Sequence, residues 1–325
     1  MAQPRAAISP GSGAGDLVDG ACLLAATANV IMQLGRPEVG YGVLESNVGR
    51  AQVMRHPLRR WRSTVTYLAA AVMGTAGDRE ACRRVVNRSH AQVRSATHGP
   101  VSYSAFDPQL QLWVAACLYR GMSDMHALLR GLADDQAAEA IYRAASRFGT
   151  TLQMPADRWP ADRAAFDRYW DTALATIRID PPVRAYLHQL IMLRYLPRPL
   201  SAVLGPPNRF LTTGFLPPPF REQMQLPWTE RDQRQFESVM HMIATLNRLL
   251  PAPARRFPFN ACLLGLRARI RWDRACSALT TAQPGRVAAR PGFGTARPAR
   301  RGLEPAKQTA AATGHRMPPG RRDQR

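Results

Sequence analysis

EACRRVVNRSHAQVRS, residues 80–95, is the stretch on which the fold turns. Cys82, Val85, Val86 and Val93 recur at helical spacing and mark one apolar stripe, while Arg83, Arg84, Arg88 and Arg94 lie mostly off it. The stretch therefore reads as a helix with one face turned inward. His90 sits on that face, four residues after Val86 and three before Val93. An imidazole facing a core has two readings. It is a core histidine whose ring nitrogens bond to backbone or water, or it is a ligand for a metal or cofactor. On the helix pattern alone the first reading is the commoner, and the rest of the chain has to decide.

Working outward, the same periodicity recurs on both sides. ACLLAATANVIMQLG (21–35) lies in a helix from about 19 to 34, stopped by Gly35 and Pro37, and GRPEVGYGVLESNVG (35–49) reads as a loop holding one helical turn. Pro57 opens PLRRWRSTVTYLAAAVMG (57–74), with Gly74 and Gly77 as breakers and Asp78 as the N-cap of the next helix. Asp107-Pro108 gives a cap followed by proline at the first helical position, and Leu110, Trp113, Val114, Cys117 and Leu118 follow at core spacing. Residues 124–149 predict one or two amphipathic helices, and further helices follow over 160–177 and 183–195. The proline-rich run from Pro197 to Trp228 reads as a packed loop. Thr229 and Asp232 start a helix through about Leu250, and a last helix covers 258–274. No alternating strand pattern appears. The expectation is an all-α fold: one domain over 16–276, a disordered start over 1–15, and a disordered Arg/Pro-rich tail over 277–325.

The chain of 325 residues is 46% hydrophobic, enough for a large core. Its net charge of +21 suggests nucleic acid first. Lys307 is the only lysine, however, so part of the arginine excess reflects the codon usage of a GC-rich bacterial genome. Ten basic residues against Glu304 and Asp323 put +8 of that charge in residues 277–325. The remainder carries no finger, basic zipper or compact helix-turn-helix signature, so a specific nucleic-acid partner is not expected. The five cysteines are scattered without a C-x-x-C pair, as expected of buried free thiols in a reducing compartment. No apolar run reaches membrane-spanning length, and Asp16 and Asp19 precede the first apolar run where a signal peptide needs positive charge. A cytoplasmic location is expected, and the sequence leaves the oligomeric state open.

Walker, G-x-G-x-x-G, H-E-x-x-H and G-x-S-x-G motifs are absent. The seven histidines are scattered, which argues against a multi-histidine metal site. A cofactor needing one protein ligand passes that test, and haem, held by a single imidazole, is the obvious case. Arg60 and Thr64 lie four residues apart on one face of the preceding helix. They read as a pair that meets a haem propionate or an oxygen-derived anion, or as a solvated charge beside a core-edge threonine.

HPLRRWRSTVTYLAAAVMGT (56–75), VVNRSHAQVRS (85–95) and YSAFDPQLQLWVAACL (103–118), taken in order, resemble the oxygenase family of the latex-clearing rubber oxygenases and the fungal enzyme that cleaves the prenyl side chain in mycophenolic acid synthesis. The family pattern is an R-x-x-x-T helix, then a histidine in H-x-x-V, then Y-x-A-x-D-P before a Trp-Val helix. It falls on Arg60/Thr64, His90/Val93 and Tyr103/Ala105/Asp107/Pro108/Trp113. The resemblance extends through FDRYWDTAL (166–174) and GFLPPPFREQMQLPW (214–228) and covers roughly 40–272. It implies an all-α protein holding one haem b, with His90 as the iron ligand and Arg60 and Thr64 as the active-site pair. Glu45 stands at about the distance of the family's base. The chain departs from many relatives at Ala115, where they carry a second histidine after the Trp-Val pair. The function this implies is a haem-dependent oxygenase acting with dioxygen on an apolar, isoprenoid-type alkene. The alternatives are a non-enzymatic all-α protein binding haem or lipid or serving as an interaction module, and, third, a nucleic-acid-associated protein using its basic tail.

Overall fold

A computed structural model describes residues 18–45, 56–95 and 101–281, with side chains through residue 275. The expected disordered start lies outside the described residues, as does the tail beyond Thr281. The fold is all-α. Among the described residues there is no strand, only a lone antiparallel bridge between Arg94 and Ser104. The helices up to Ala278 belong to one compact unit.

A 3-10 turn at Gly20–Ala25, capped by the Asp19 carboxylate, leads into α1 (Ala26–Leu34). Residues 35–49 hold more helix than one turn. Pro37 at the first position starts α2 (Pro37–Leu44), and two glycines let it pack closely: a Cβ on Gly40 would lie 3.1 Å from Val183, and one on Gly42 3.3 Å from the Tyr103 ring. Next come α3 (Pro57–Met73) and α4 (Ala76–His90). The cap of α4 is Thr75 rather than Asp78. Thr75 Oγ1 accepts from the Asp78 N–H, and the Asp78 carboxylate accepts from the Thr75 N–H at 2.9 Å, a reciprocal box that draws Gly77 into the first turn. The helix ends at His90, so Val93 lies beyond it. Val85 is half exposed, leaving Asp78, Ala81 and Cys82 as the buried face.

The long helix α5 (Pro108–Arg130) is capped by Asp107 as the Asp-Pro pair predicts, and it runs well into the stretch expected to be a separate amphipathic segment. It is the axis of the core. Trp113, Ala115, Ala116 and Cys117 are fully buried, and the Trp113 indole N–H donates to the Gln33 carbonyl at 2.9 Å. The Trp113 ring stacks on Trp170 at 5.5 Å. After α6 (Asp135–Ala145) and α7 (Arg147–Thr150), α8 (Arg163–Leu174) supplies Phe166 and Trp170 to this aromatic wall, and α9 (Pro181–Ile191) packs beside α1 and α2.

The run from Pro197 to Trp228 is not a loop. It forms α10 (Arg198–Phe215), with Pro206 and Pro207 inside the helix, and α11 (Pro218–Met224). Interior prolines remove donors and disfavour a helix, but tertiary anchors hold this one. Ser201 Oγ donates to the Met192 carbonyl at 2.8 Å, Asn208 Nδ2 donates to the Ile191 carbonyl at 2.7 Å, and Gly205 lies flat against Met192. The chain continues through α12 (Glu230–Leu249), opened by the predicted Thr229/Asp232 box, α13 (Ala252–Arg255) and α14 (Phe259–Thr281). The last helix runs five residues into the stretch assigned to the tail.

Arg267 of α14 donates from Nε and a terminal nitrogen to the buried Asp78 carboxylate at 3.1 and 3.0 Å, which fastens α14 to the start of α4. Burial acts to raise the Asp78 pKa, but the hydrogen bonds from Thr75 and Arg267 outweigh it and leave the pKa below its ordinary 3.8. A depressed carboxylate stabilises the fold above its unfolded pKa, and that contribution is lost as pH falls through the folded value. Asp78→Asn should therefore cost about 2 kcal/mol at neutral pH. In urea unfolding followed across pH, the gap to the parent protein should close below about pH 4.

Candidate active site

The C-terminal turn of α4 carries His90 to the edge of the core. Its Nδ1 is buried and has no hydrogen-bond partner. Burial, and then the nearby Arg60 cation, lower the imidazole pKa to about 4, so the ring is neutral at physiological pH. The Phe106 ring meets it edge-on at 6.3 Å between centroids. A neutral imidazole is the ligating form.

Arg60 lies in the N-terminal half of α3, whose side chains retain exposed area from Leu58 to Thr64. Burial nevertheless lowers the Arg60 pKa, an effect opposed by the Tyr186 phenol of α9. No carboxylate among the described residues forms an ion pair with Arg60. Burial raises the Tyr186 pKa and the Arg60 cation lowers it, which puts the two within electrostatic range. The structure thus gathers His90 of α4, Arg60 of α3 and Tyr186 of α9. Thr64, exposed, sits one turn after Arg60 on the same helix.

Glu45 caps the C-terminus of α2 and is exposed. It accepts a hydrogen bond from the Tyr103 hydroxyl at 2.9 Å. Burial and that bond push the Tyr103 pKa up to about 12, so the phenol keeps its proton. Tyr103 is tied in turn to the chain leaving α4: its carbonyl accepts from the Ser95 N–H at 2.9 Å, and the Ala105 N–H donates to the Val93 carbonyl at 3.0 Å. Glu45 is therefore connected to the His90 region through the 103–105 segment, with no direct contact to His90, Arg60 or Thr64.

Behind His90 runs a chain of amides. Gln153 Nε2 donates to Asn87 Oδ1, one turn before His90. The Gln153 backbone N–H donates to Gln111 Oε1 at 3.2 Å, and Gln111 Nε2 donates to Gln153 Oε1 and to the Ala105 carbonyl, each at 3.0 Å. This relay locks the end of α4, the start of α5 and the Phe106 segment to one another. Tyr186, Gln111 and Gln153 are not legible in the sequence as site residues, because folding rather than spacing brings them to this region. Tyr103 stood in a recognised motif without an assigned role. Ala115 is fully buried on α5, so the position where many relatives carry histidine belongs to the core here.

Among the described residues no group of three His, Cys, Asp or Glu side chains is placed to hold a metal ion. Two surface concavities, of about 440 and 400 Å³, are lined around Arg36 and Glu38 and around Asp124 and Pro217–Pro219, and none of the four predicted site residues lines either. The profile of the family described as "ER-bound oxygenase mpaB/B'/Rubber oxygenase, catalytic domain" matches residues 17–245, a span that holds every residue gathered above. The chain belongs to this mpaB/rubber oxygenase family. Proteins named Mb2261, from Mycobacterium bovis, and Rv2237, from Mycobacterium tuberculosis, are similar to it. Each is 50% identical over 252 residues, covering 78% of this chain and 99% of the relative, and each is described as uncharacterized. No solved structure matches the chain. The family is one of oxygenases, a class of oxidoreductases, and no described helix is long and apolar enough to cross a membrane.

If the amide relay fixes the end of α4, Gln153→Leu leaves Asn87 Oδ1 without its donor and takes one acceptor from Gln111, which keeps the backbone N–H of residue 153 and the Ala105 carbonyl. The substitution should lower stability by about 2 kcal/mol, read from the urea midpoint at unchanged slope.

Proposed function

We propose that the protein is a haem b-dependent oxygenase acting with dioxygen on an apolar, isoprenoid-type alkene. One observation carries the reading. His90 is a neutral imidazole whose buried Nδ1 has no hydrogen-bond partner, and it lies within electrostatic range of Arg60, which pairs with no carboxylate among the described residues. These residues fit haem, which needs one neutral nitrogen and a cation for its carboxylates. The absence of a three-ligand cluster among the described residues suits a cofactor held by a single side chain.

His90 would hold the iron and Arg60 would pair with a propionate. When bound, haem supplies the redox chemistry with dioxygen. The chain's own residues do the rest. Thr64 presents a hydroxyl donor on the face it shares with Arg60. A donor of this kind, fixed before the reaction, stabilises negative charge as it develops. Tyr103, holding its proton, donates to Glu45 and so orients that carboxylate as a proton acceptor. The apolar side chains Leu58 and Trp61, exposed on the same helix as Arg60, offer an apolar substrate a surface to displace water from.

Expression with haem supplementation followed by an absorption scan tests the reading. The parent protein should purify with a Soret band, and His90→Ala should lose it while keeping its far-UV helical signal. Full haem with an unchanged spectrum in His90→Ala, or no haem in the parent, removes the proposal. Oxygen uptake with an isoprenoid alkene separates an oxygenase from a non-catalytic haem binder. Thr64→Ala should retain haem and lose about a hundredfold in turnover, whereas Arg60→Ala should lose turnover and part of its haem.

A further inference from the structure

The first half of α10 faces outward with a surface that water does not favour. Every exposed side chain from Pro199 to Pro207 is apolar, with Leu200 at 50%, Val203 at 71% and Leu204 at 44% exposure. The helix cannot roll to hide them, because its opposite face is bolted down. Ser201 and Asn208 donate to the carbonyls of Met192 and Ile191, and Gly205 lies against Met192. A fixed, contiguous apolar patch of this kind marks a contact surface.

Its charge says what kind. Between Asp180 and Glu222 the sequence holds five arginines and no acidic residue. Arg194, Arg198 and Arg209 flank the patch and are exposed, and none of them pairs with a carboxylate among the described residues. A second copy of the chain would bring the same cations against this face, which Coulomb repulsion opposes. An anionic lipid surface complements both features, with leucine and valine among the upper acyl carbons and guanidinium groups among phosphates. The interior prolines set the depth. Pro206 and Pro207 have no N–H, so the Ala202 and Val203 carbonyls receive no helical hydrogen bond. Such carbonyls need water or headgroup donors and keep the helix at the interface rather than in the hydrocarbon.

We propose that the N-terminal half of α10 docks the protein peripherally on anionic membrane surfaces, Leu200, Val203 and Leu204 inserting and Arg194, Arg198 and Arg209 binding lipid phosphates. The inference is independent of the cofactor and of His90.

Co-sedimentation with phosphatidylcholine vesicles, with and without phosphatidylglycerol, tests it on the full chain. The parent protein should sediment with the anionic vesicles and stay in solution with phosphatidylcholine alone, and added salt should release it. Leu200→Glu with Val203→Glu should weaken binding by about tenfold or more, as should Arg194→Gln with Arg198→Gln and Arg209→Gln. All five sites are exposed, and circular dichroism checks that the variants fold. Parent protein that ignores anionic vesicles overturns the proposal. So does binding that both variants retain in full, which would place it on the basic tail common to all three proteins. A dimer on gel filtration that Leu200→Glu with Val203→Glu converts to monomer also overturns it and makes the face an interface between copies.

Discussion

The core is arranged around α5, and two hydrogen bonds and a close approach hold α5 against α1. Its Trp113 indole donates to the Gln33 carbonyl at the end of α1. One turn on, the Cys117 carbonyl accepts from the Asn29 side chain at 2.7 Å, and Asn29 accepts from Gln33. Gly121 then meets Asn29 so closely that any side chain there would displace it. A buried indole N–H without a partner is costly, so this register of α1 against α5 is strongly preferred. The aromatic wall of Trp170, Phe166 and Tyr142 builds on it. The same packing requires small residues along α5, and Ala115 and Ala116 supply them. The chain's departure from many relatives at Ala115 is thus also part of how its core closes.

The candidate site lies at the rim of this core rather than inside it. The consecutive helices α3 and α4 deliver Arg60 and His90, and the distant α9 delivers Tyr186. His90 is held neutral by burial and by a cation, and Arg60 pairs with no carboxylate among the described residues. A folded protein keeps such groups only where something else repays them. The amides of Asn87, Gln153 and Gln111 contrast with this. They bond mainly to one another and to backbone, which makes them scaffold and leaves the unsatisfied groups to a ligand.

Arginine in this chain does several kinds of work. Arg267 closes a buried pair on Asp78, Arg36 lies over the Trp113 ring at 5.5 Å, and Arg221 donates to the Thr213 and Gly214 carbonyls while covering Trp228. These planar, always charged groups serve as packing pieces as much as surface charge. Net charge alone is accordingly a poor guide to partners here, and the unpaired arginines around α10 are more informative than the total.

Sequence by itself determined the elements whose reason is local. Asp107-Pro108, Thr229 with Asp232, and the proline at position 57 start helices because a cap or a fixed φ acts within four residues. Ordered motifs also brought out the family, and with it Arg60, Thr64, His90 and Glu45. Tertiary structure decided what depends on distant partners. It turned Pro197–Trp228 into helices, because Met192 and Ile191 anchor a segment whose prolines read locally as a break. It moved the α4 cap to Thr75, since the reciprocal Thr75–Asp78 bonds outcompete Asp78 acting alone. It also brought Tyr186 to Arg60 across 126 residues of sequence, a neighbourhood that no spacing rule records because packing, not periodicity, creates it.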